Sequence, residues 1–330
     1  MLSRVADSIY WMNRYIERAE NVARFVHVNL HLELDLPAFD AEGGEINRSQ
    51  WQPLIWTTGD EKLFLARYKE MTRENVIHFL TFDEENPNSI ISCVKYGREN
   101  ARSIREVISS EMWITLNRFY LMMRDPLAKQ KAADDAHTFY TDVKSACAQF
   151  IGETIGTMSH GEGWHFGRIG RLLERADKTS RILDVKYYIL LPNVEDVGMP
   201  IDMIQWAALL KSASALEMYR KQHPGITPKR VSQFLLMDRD FPRAVLFCLD
   251  TAEESLRAIT GTAQGTFSNP AEQHLGRLVA DITYANIDEI IKKGLHEYVD
   301  SLQNRLNQID DAIYKTFLEV RADVAVESPV

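Results

Sequence analysis

The chain has 330 residues, 45% apolar and 26% charged, with a formal net charge of −9. This is the balance of a globular chain with ample core, and an acidic total without a long Lys/Arg run lacks the footprint of a duplex-DNA binder. No stretch nears ~18 uninterrupted apolar residues, the start has no apolar signal-peptide core, and Cys93, Cys147 and Cys248 are few and scattered, so a cytoplasmic protein with reduced thiols is expected.

From Val5 the apolar positions Ile9, Met12, Ile16, Ala19, Ala23, Val26 and Leu30 step by three and four, which predicts one long amphipathic helix. Asp40 to Gly44 reads as a loop after Pro37. Asp60 and Thr72 are expected N-caps of two shorter helices. Asn86-Pro87-Asn88-Ser89 opens a helix expected to run through Arg102 toward Asn117 and to stop before Pro126. A further helix spans Asp134 to Met158. Gly161 and Gly163 then break the chain before a long helix from Trp164 to Leu191, ended by Pro192. Helices follow near 201–220, 228–236 and 242–260. Asn269-Pro270 reads as an N-cap with proline at the first helical position, and Gly294 as a break in the C-terminal helical stretch. Nothing alternates with period two for long, so the fold class is all-α, and the tail 323–330 is expected to fray.

The chain resembles itself. Arg14-Tyr15-Ile16-Glu17-Arg18-Ala19-Glu20 lies beside Arg171-Leu172-Leu173-Glu174-Arg175-Ala176-Asp177, and Arg24 beside Arg181, at an offset of 157 (181 − 24). Val76, Phe79, Leu80, Asp83, Pro87 and Cys93 fall opposite Val231, Phe234, Leu235, Asp238, Pro242 and Cys248 at an offset of 155 (248 − 93). Amphipathic grammar alone does not align a proline, a cysteine and several charges in order. The expected architecture is a multi-helix bundle of two tandem units, 1–158 and 159–322, about a pseudo-twofold axis and packed as a single domain.

Arg14, Glu17, Arg18 and Arg24 share one helix face, as do Arg171, Glu174, Arg175 and Arg181. The plain reading is a solvated face of ion pairs, each stabilising by about 0.2–0.5 kcal/mol. Arginine kept in both copies while apolar neighbours drift points instead to bidentate binding of a carboxylate or phosphate. Arg98, Asn100, Arg102 and Arg105 form a third cluster, which either adds charge to the same pocket or is simply exposed.

Several of these stretches resemble the bacterial Alpha-E family, helical proteins named for a Glu-Arg motif. They are Leu2-Ser3-Arg4, Tyr10-Trp11, Glu17-Arg18-Ala19-Glu20, Arg98-Glu99-Asn100-Ala101-Arg102, Ser110-Glu111-Met112-Trp113, Gly161-Glu162-Gly163-Trp164 and Gly170-Arg171-Leu172-Leu173-Glu174-Arg175-Ala176-Asp177. The resemblance implies the company of ATP-grasp amide ligases, with transglutaminase-like proteins and proteasome-like peptidases in the same pathways, and a part in ATP-dependent peptide or amide-bond formation. It assigns no chemical step to this chain, and no role to His160 or His165.

No Walker loop or Rossmann fingerprint occurs, so ATP and Mg are expected on a partner ligase and no cofactor on this chain. Glu162-Gly163-Trp164-His165 is a single Glu-x-x-His where di-iron bundles need two, so no metal is expected. Three functions remain open. The first is a substrate-binding accessory to a ligase, gripping an anionic group through the paired Arg–Glu–Arg helices. The second is a stand-alone amidotransfer or hydrolytic enzyme using Glu17 or Glu174 as base, although a carboxylate among arginines is a poor base at neutral pH. The third is a structural scaffold. No nucleic acid or membrane partner is expected, and a homo-oligomer is left open.

Overall fold

The structure is a computed structural model that describes residues 1–35, 51–188 and 200–319. The expected loop from Asp40 to Gly44, the helix end at Leu191-Pro192 and the tail 323–330 lie outside the described residues. Among those described there are sixteen α-helices and no strand. The first eight are α1 (Ser3–Asp35), α2 (Gln52–Thr58), α3 (Glu61–Arg67), α4 (Arg73–Thr81), α5 (Ile90–Ser103), α6 (Ser110–Arg124), α7 (Ala128–Asp134) and α8 (Ala136–Thr157). Then come α9 (Glu162–Tyr188), α10 (Pro200–Ser212), α11 (Leu216–Gln222), α12 (Pro228–Met237), α13 (Val245–Thr260), α14 (Pro270–Thr283), α15 (Ile287–Lys293) and α16 (Leu295–Ile313), with a π-helical turn at Tyr314–Leu318.

Local chemistry sets many of these boundaries. The hydroxyls of Thr72, Ser89 and Thr227 and the side-chain oxygens of Asp135 and Asn269 accept backbone N–H bonds at their helix starts. Gly261, at φ 72°, closes α13 in the left-handed region. The single helix expected from Ser89 toward Asn117 is two helices: it ends at Ser103, and the Ser109 hydroxyl, accepting from the Met112 amide at 3.1 Å, starts another. The stretch near 201–220 also divides, at Ser214 with φ 51°. Asp60 precedes α3 without a side-chain cap bond, and Gly163 does not break α9 but lies inside it.

The apolar stripe of α1 is buried as its spacing requires: Val5, Ile9, Met12, Ile16, Ala19, Ala23 and Val26 are all at most 7% exposed. This face meets α9 along its length. Helices α5 and α8 pack on α1, and α13 and α16 on α9, while α2 reaches across to α9 and α10 to α1. The core is therefore built around the α1–α9 pair.

Close approach of that pair depends on missing side chains. A Cβ at Gly167 would stand 2.6 Å from Asn13 Nδ2, and one at Gly170 would stand 2.5 Å from the Tyr10 carbonyl oxygen. The second obstacle is backbone and cannot rotate away. Gly170→Ala is expected to destabilise the fold by about 1–3 kcal/mol or more. Gly152→Ala, in α8 with open space around it, is expected to stabilise by about 0.5–1 kcal/mol. Paired urea and thermal melts check the opposite signs.

Candidate functional site

Because α1 and α9 lie against each other, the two Glu-Arg sequences meet, and they pair crosswise. Arg175 places Nε 2.8 Å and Nη2 2.7 Å from the two carboxylate oxygens of Glu17. Arg18 does the same to Glu174, Nε at 2.7 Å and Nη2 at 2.9 Å. Each guanidinium is thus a two-pronged donor to the glutamate of the other helix. Both glutamates are 0% exposed.

Further donors complete each carboxylate. Arg14 Nε donates to Glu174 at 3.0 Å, and Lys178 Nζ lies 3.5 Å away. Glu17 also accepts from Asn21 Nδ2 and from Arg243 Nη1, each at 3.0 Å. Arg243 donates through Nη2 to Glu20 at 2.7 Å. One turn outward, Arg24 pairs with Glu20 and Arg181 with Asp177, both within their own helix. Arg14 also donates to Asp310 on α16, which accepts from the Tyr10 hydroxyl as well. Arg171 is the exception: its Nε is buried without a hydrogen-bond partner among the described residues.

Burial alone would raise the Glu17 carboxyl, but Arg175 and Arg243 outweigh it and hold its pKa at about 2. Glu174 is pushed up by burial and brought well below the usual carboxylate range by Arg18, Lys178 and Arg14. Burial, and then repulsion from Arg175, bring Arg171 down to about 10. Both glutamates are ionised and fully engaged. Neither is placed to take a proton at neutral pH.

On the Glu174 side the network borders a polar cavity of about 180 Å³. Arg14, Arg18, Asn88, Lys178, Arg181 and Asp310 are among its walls. Arg18 Nη1 donates to Asn88 at 2.8 Å, and Arg181 bonds Asp177 through Nε. The structure therefore brings together Arg14, Glu17, Arg18, Arg24, Arg171, Glu174, Arg175 and Arg181. It leaves Arg98, Asn100, Arg102 and Arg105 apart. Gly97 faces Ile16 of α1, whereas Arg98 bonds Asn117 on α6 and lies over Tyr120 and Trp113. Arg105 covers Trp113, and Arg102 is an exposed partner of Glu99. This third cluster is a surface face between α5 and α6, away from the cavity.

Arg243, Asn88 and Asp310 were not singled out by sequence reasoning. Asn88 and Arg243 fall opposite each other between the aligned Pro87/Pro242 and Ser89/Ala244 pairs, which is a positional signal, though their side chains differ. Asp310 has no such signal. Cys93, Cys147 and Cys248 are free and buried, and burial pushes the Cys93 and Cys248 thiols up to about 12, so neither is a reactive thiolate. Trp11 lies under the Arg14 guanidinium, and Trp164 stacks on His160 at 4.1 Å. Among the described residues no third ligating side chain joins Glu162 and His165; the grouping of three that exists is His27, His31 and His137.

A Glu-Arg sequence, Glu17-Arg18 and Glu174-Arg175, thus stands on each of the two paired helices. A family described as a predicted alpha-helical domain with a conserved ER motif, Alpha-E, matches residues 1–318. The chain belongs to the Alpha-E family. It is 24% identical over 277 residues to an uncharacterized protein of Mycobacterium bovis and to one of Mycobacterium tuberculosis strain CDC 1551. A protein of the H37Rv strain is 23% identical over the same length. Each match takes 79% of this chain and 30% of the relative, so this Alpha-E chain spans under a third of the length of those relatives. No solved structure matches it. No described helix is long and apolar enough to cross a membrane.

The ionised form of Glu17 stabilises the fold, because its carboxyl titrates at about 2 against an ordinary 4.5. That contribution is complete above the ordinary value and is lost as pH falls toward the folded one. Glu17→Gln is expected to cost about 3 kcal/mol at pH 7, as for a buried pair stripped of one partner, and to flatten acid unfolding between pH 4.5 and 2. Arg102→Gln, at an exposed pair, should change stability by less than ~1 kcal/mol. Urea titrations at pH 7, 4 and 3 measure both.

Proposed function

We propose that this Alpha-E chain is a cytoplasmic, substrate-binding accessory to an ATP-grasp amide ligase, receiving an anionic group of the ligase substrate in the cavity beside Glu174. The observation that carries this reading is the cavity wall. Arg14, Arg18, Lys178 and Arg181 line it together with Asp177 and Asp310. Glu174 behind them brings the carboxylates to three against four cations, so one positive charge is left for a guest. Arg181 bonds Asp177 only through Nε, and its terminal nitrogens have no hydrogen-bond partner among the described residues. A carboxylate or phosphoryl oxygen is the acceptor such a fork fits. The ATP-grasp partner comes from the family's company, and ATP and Mg belong to that partner.

The same reading treats the chain as two copies of one unit, near 1–158 and 159–322. Its supports are the matching order of the helices and the exchange of arginines between Glu17 and Glu174. Asn88 beside Glu174 and Arg243 beside Glu17 then mark where the copies diverged: the short side chain lies at a cavity and the long one donates into the carboxylates. A scaffold role is favoured by one specific observation, the direct pairing of both glutamates with arginines of the other helix, which makes those pairs internal clamps. A stand-alone enzyme using Glu17 or Glu174 as base is disfavoured, since both are ionised and saturated with donors.

Inorganic phosphate and acetate are the probes. Each is expected to raise the melting temperature of the full chain, by the equivalent of about 2.7 kcal/mol at a hundredfold excess over Kd. Arg181→Gln should abolish the rise while leaving the unliganded melt nearly unchanged, and Arg102→Gln should keep it. Affinity purification from the native host should bring down an ATP-grasp protein. Absence of both the anion effect and the ligase overturns the proposal in favour of the scaffold.

A further inference from the structure

Along α1, beyond the Arg24–Glu20 pair, His27 and His31 stand one turn apart and therefore on one face. His137, in the first turn of α8, comes against them. His27 Nε2 lies 2.9 Å from His137 Nδ1 and 3.1 Å from His31 Nε2, and the third side of the triangle, His137 Nδ1 to His31 Nε2, is 3.3 Å. Three ring nitrogens from three side chains thus converge on one point.

Hydrogen bonding alone does not account for a closed triangle. A neutral imidazole has one N–H and one lone pair. A single proton between three inward nitrogens leaves at least two lone pairs facing each other at close range. Two protons would oppose one another instead. A cation at the centre removes the conflict, because all three lone pairs then point to it. The size is also right. An ion ~2.0–2.1 Å from each nitrogen, the usual zinc–imidazole distance, would sit ~1 Å out of their plane and subtend angles between a right angle and the tetrahedral one.

We propose that His27, His31 and His137 form a binding site for a divalent transition metal of the zinc type, with His27 and His31 ligating through Nε2 and His137 through Nδ1. Among the described residues no fourth His, Cys, Asp or Glu joins the group. His27 is buried, His31 half-buried and His137 exposed, so the cluster is reached from the His137 side. Lys144 Nζ is 2.6 Å from His27 Nδ1, the outer nitrogen. Ligation through Nε2 leaves the His27 ring proton on Nδ1, so Lys144 must give up this contact as a donor when the ion enters.

The test uses the full chain, free of any histidine tag and stripped with chelator, titrated with zinc chloride by calorimetry and with cobalt(II) by visible absorption. One zinc per chain is expected, with a four-coordinate cobalt spectrum and a zinc-dependent rise in melting temperature. His31→Ala and His137→Ala should each weaken binding by at least about 100-fold, beyond the 10–100-fold that loss of a supporting residue costs. His137→Gln, a milder change at an exposed position, should keep the fold and lose the cobalt spectrum. His160→Ala, remote from the cluster, should bind as the unaltered chain does. No saturable zinc binding, or binding that survives both His31→Ala and His137→Gln, overturns the site. The anion probes of the cavity beside Glu174 do not involve these histidines, so the two proposals fail independently.

Discussion

Two ionised glutamates sit in the middle of this protein, and the rest of the structure is arranged so that they can. Desolvating a carboxylate is costly, and isolated burial would either neutralise it or expel it. Here each receives a bidentate arginine from the other helix and at least one further donor. The requirement is geometric as well as electrostatic. A guanidinium fork reaches across only if the helix axes are close, and they are close because Gly167 and Gly170 present no side chain to Asn13 and Tyr10. Sliding α1 by one turn against α9 would unpair both glutamates at once. The ion pairs therefore act on register more than on net stability, which a well-packed apolar interface could match.

The repeated Arg–Glu–Arg pattern reads differently once this pairing is seen. Arginine rather than lysine in both stretches suits a bidentate partner, and that partner is the glutamate of the other helix. The first object of that selectivity lies inside the protein. On the Glu174 side every nitrogen of Arg14 and Arg18 is engaged, and Lys178 pairs with Glu174 and Asp177, whereas Arg181 bonds Asp177 through Nε alone. Asn88 holds Arg18 there by one nitrogen while also donating to Asp60. On the other side Arg243 donates into both Glu17 and Glu20.

Local grammar made much of the fold readable before any coordinates. The stripe from Val5 to Val26, the Thr72 cap and the Asn269-Pro270 start depend on neighbours within four residues, and all three are present as expected. The break after Ser103 was hidden because Ile104, Ile108 and Met112 continue an apolar pattern across it, and all are buried. The Ser109 cap is visible only afterwards. Gly163 reads as a helix breaker because propensity is a local scale; the close approach of α1 that Gly163, Gly167 and Gly170 permit is a property of the partner helix. Asp310 and Arg243 reach the network from elements far along the chain, and no spacing rule foretells them.

The histidines show the same limit from the opposite direction. His27 and His31 satisfy a local rule, two ligating side chains one turn apart, yet a pair on a helix is too common to signal anything. The third member is 106 residues from His31, and only the packing of α8 on α1 supplies it. That packing places the cluster at the same end of α1 as Arg24, whose charge and that of Lys144 both bear on His27. One helix thus carries, in order, a clamp to its partner at Glu17, an ion pair at Glu20 and Arg24, and the imidazoles of His27 and His31. A single rigid element fixes the spacing of all three. An ion at the histidines is held in a constant relation to the buried glutamates, since the same pairing that sets the register of α1 also sets the position of His27 and His31.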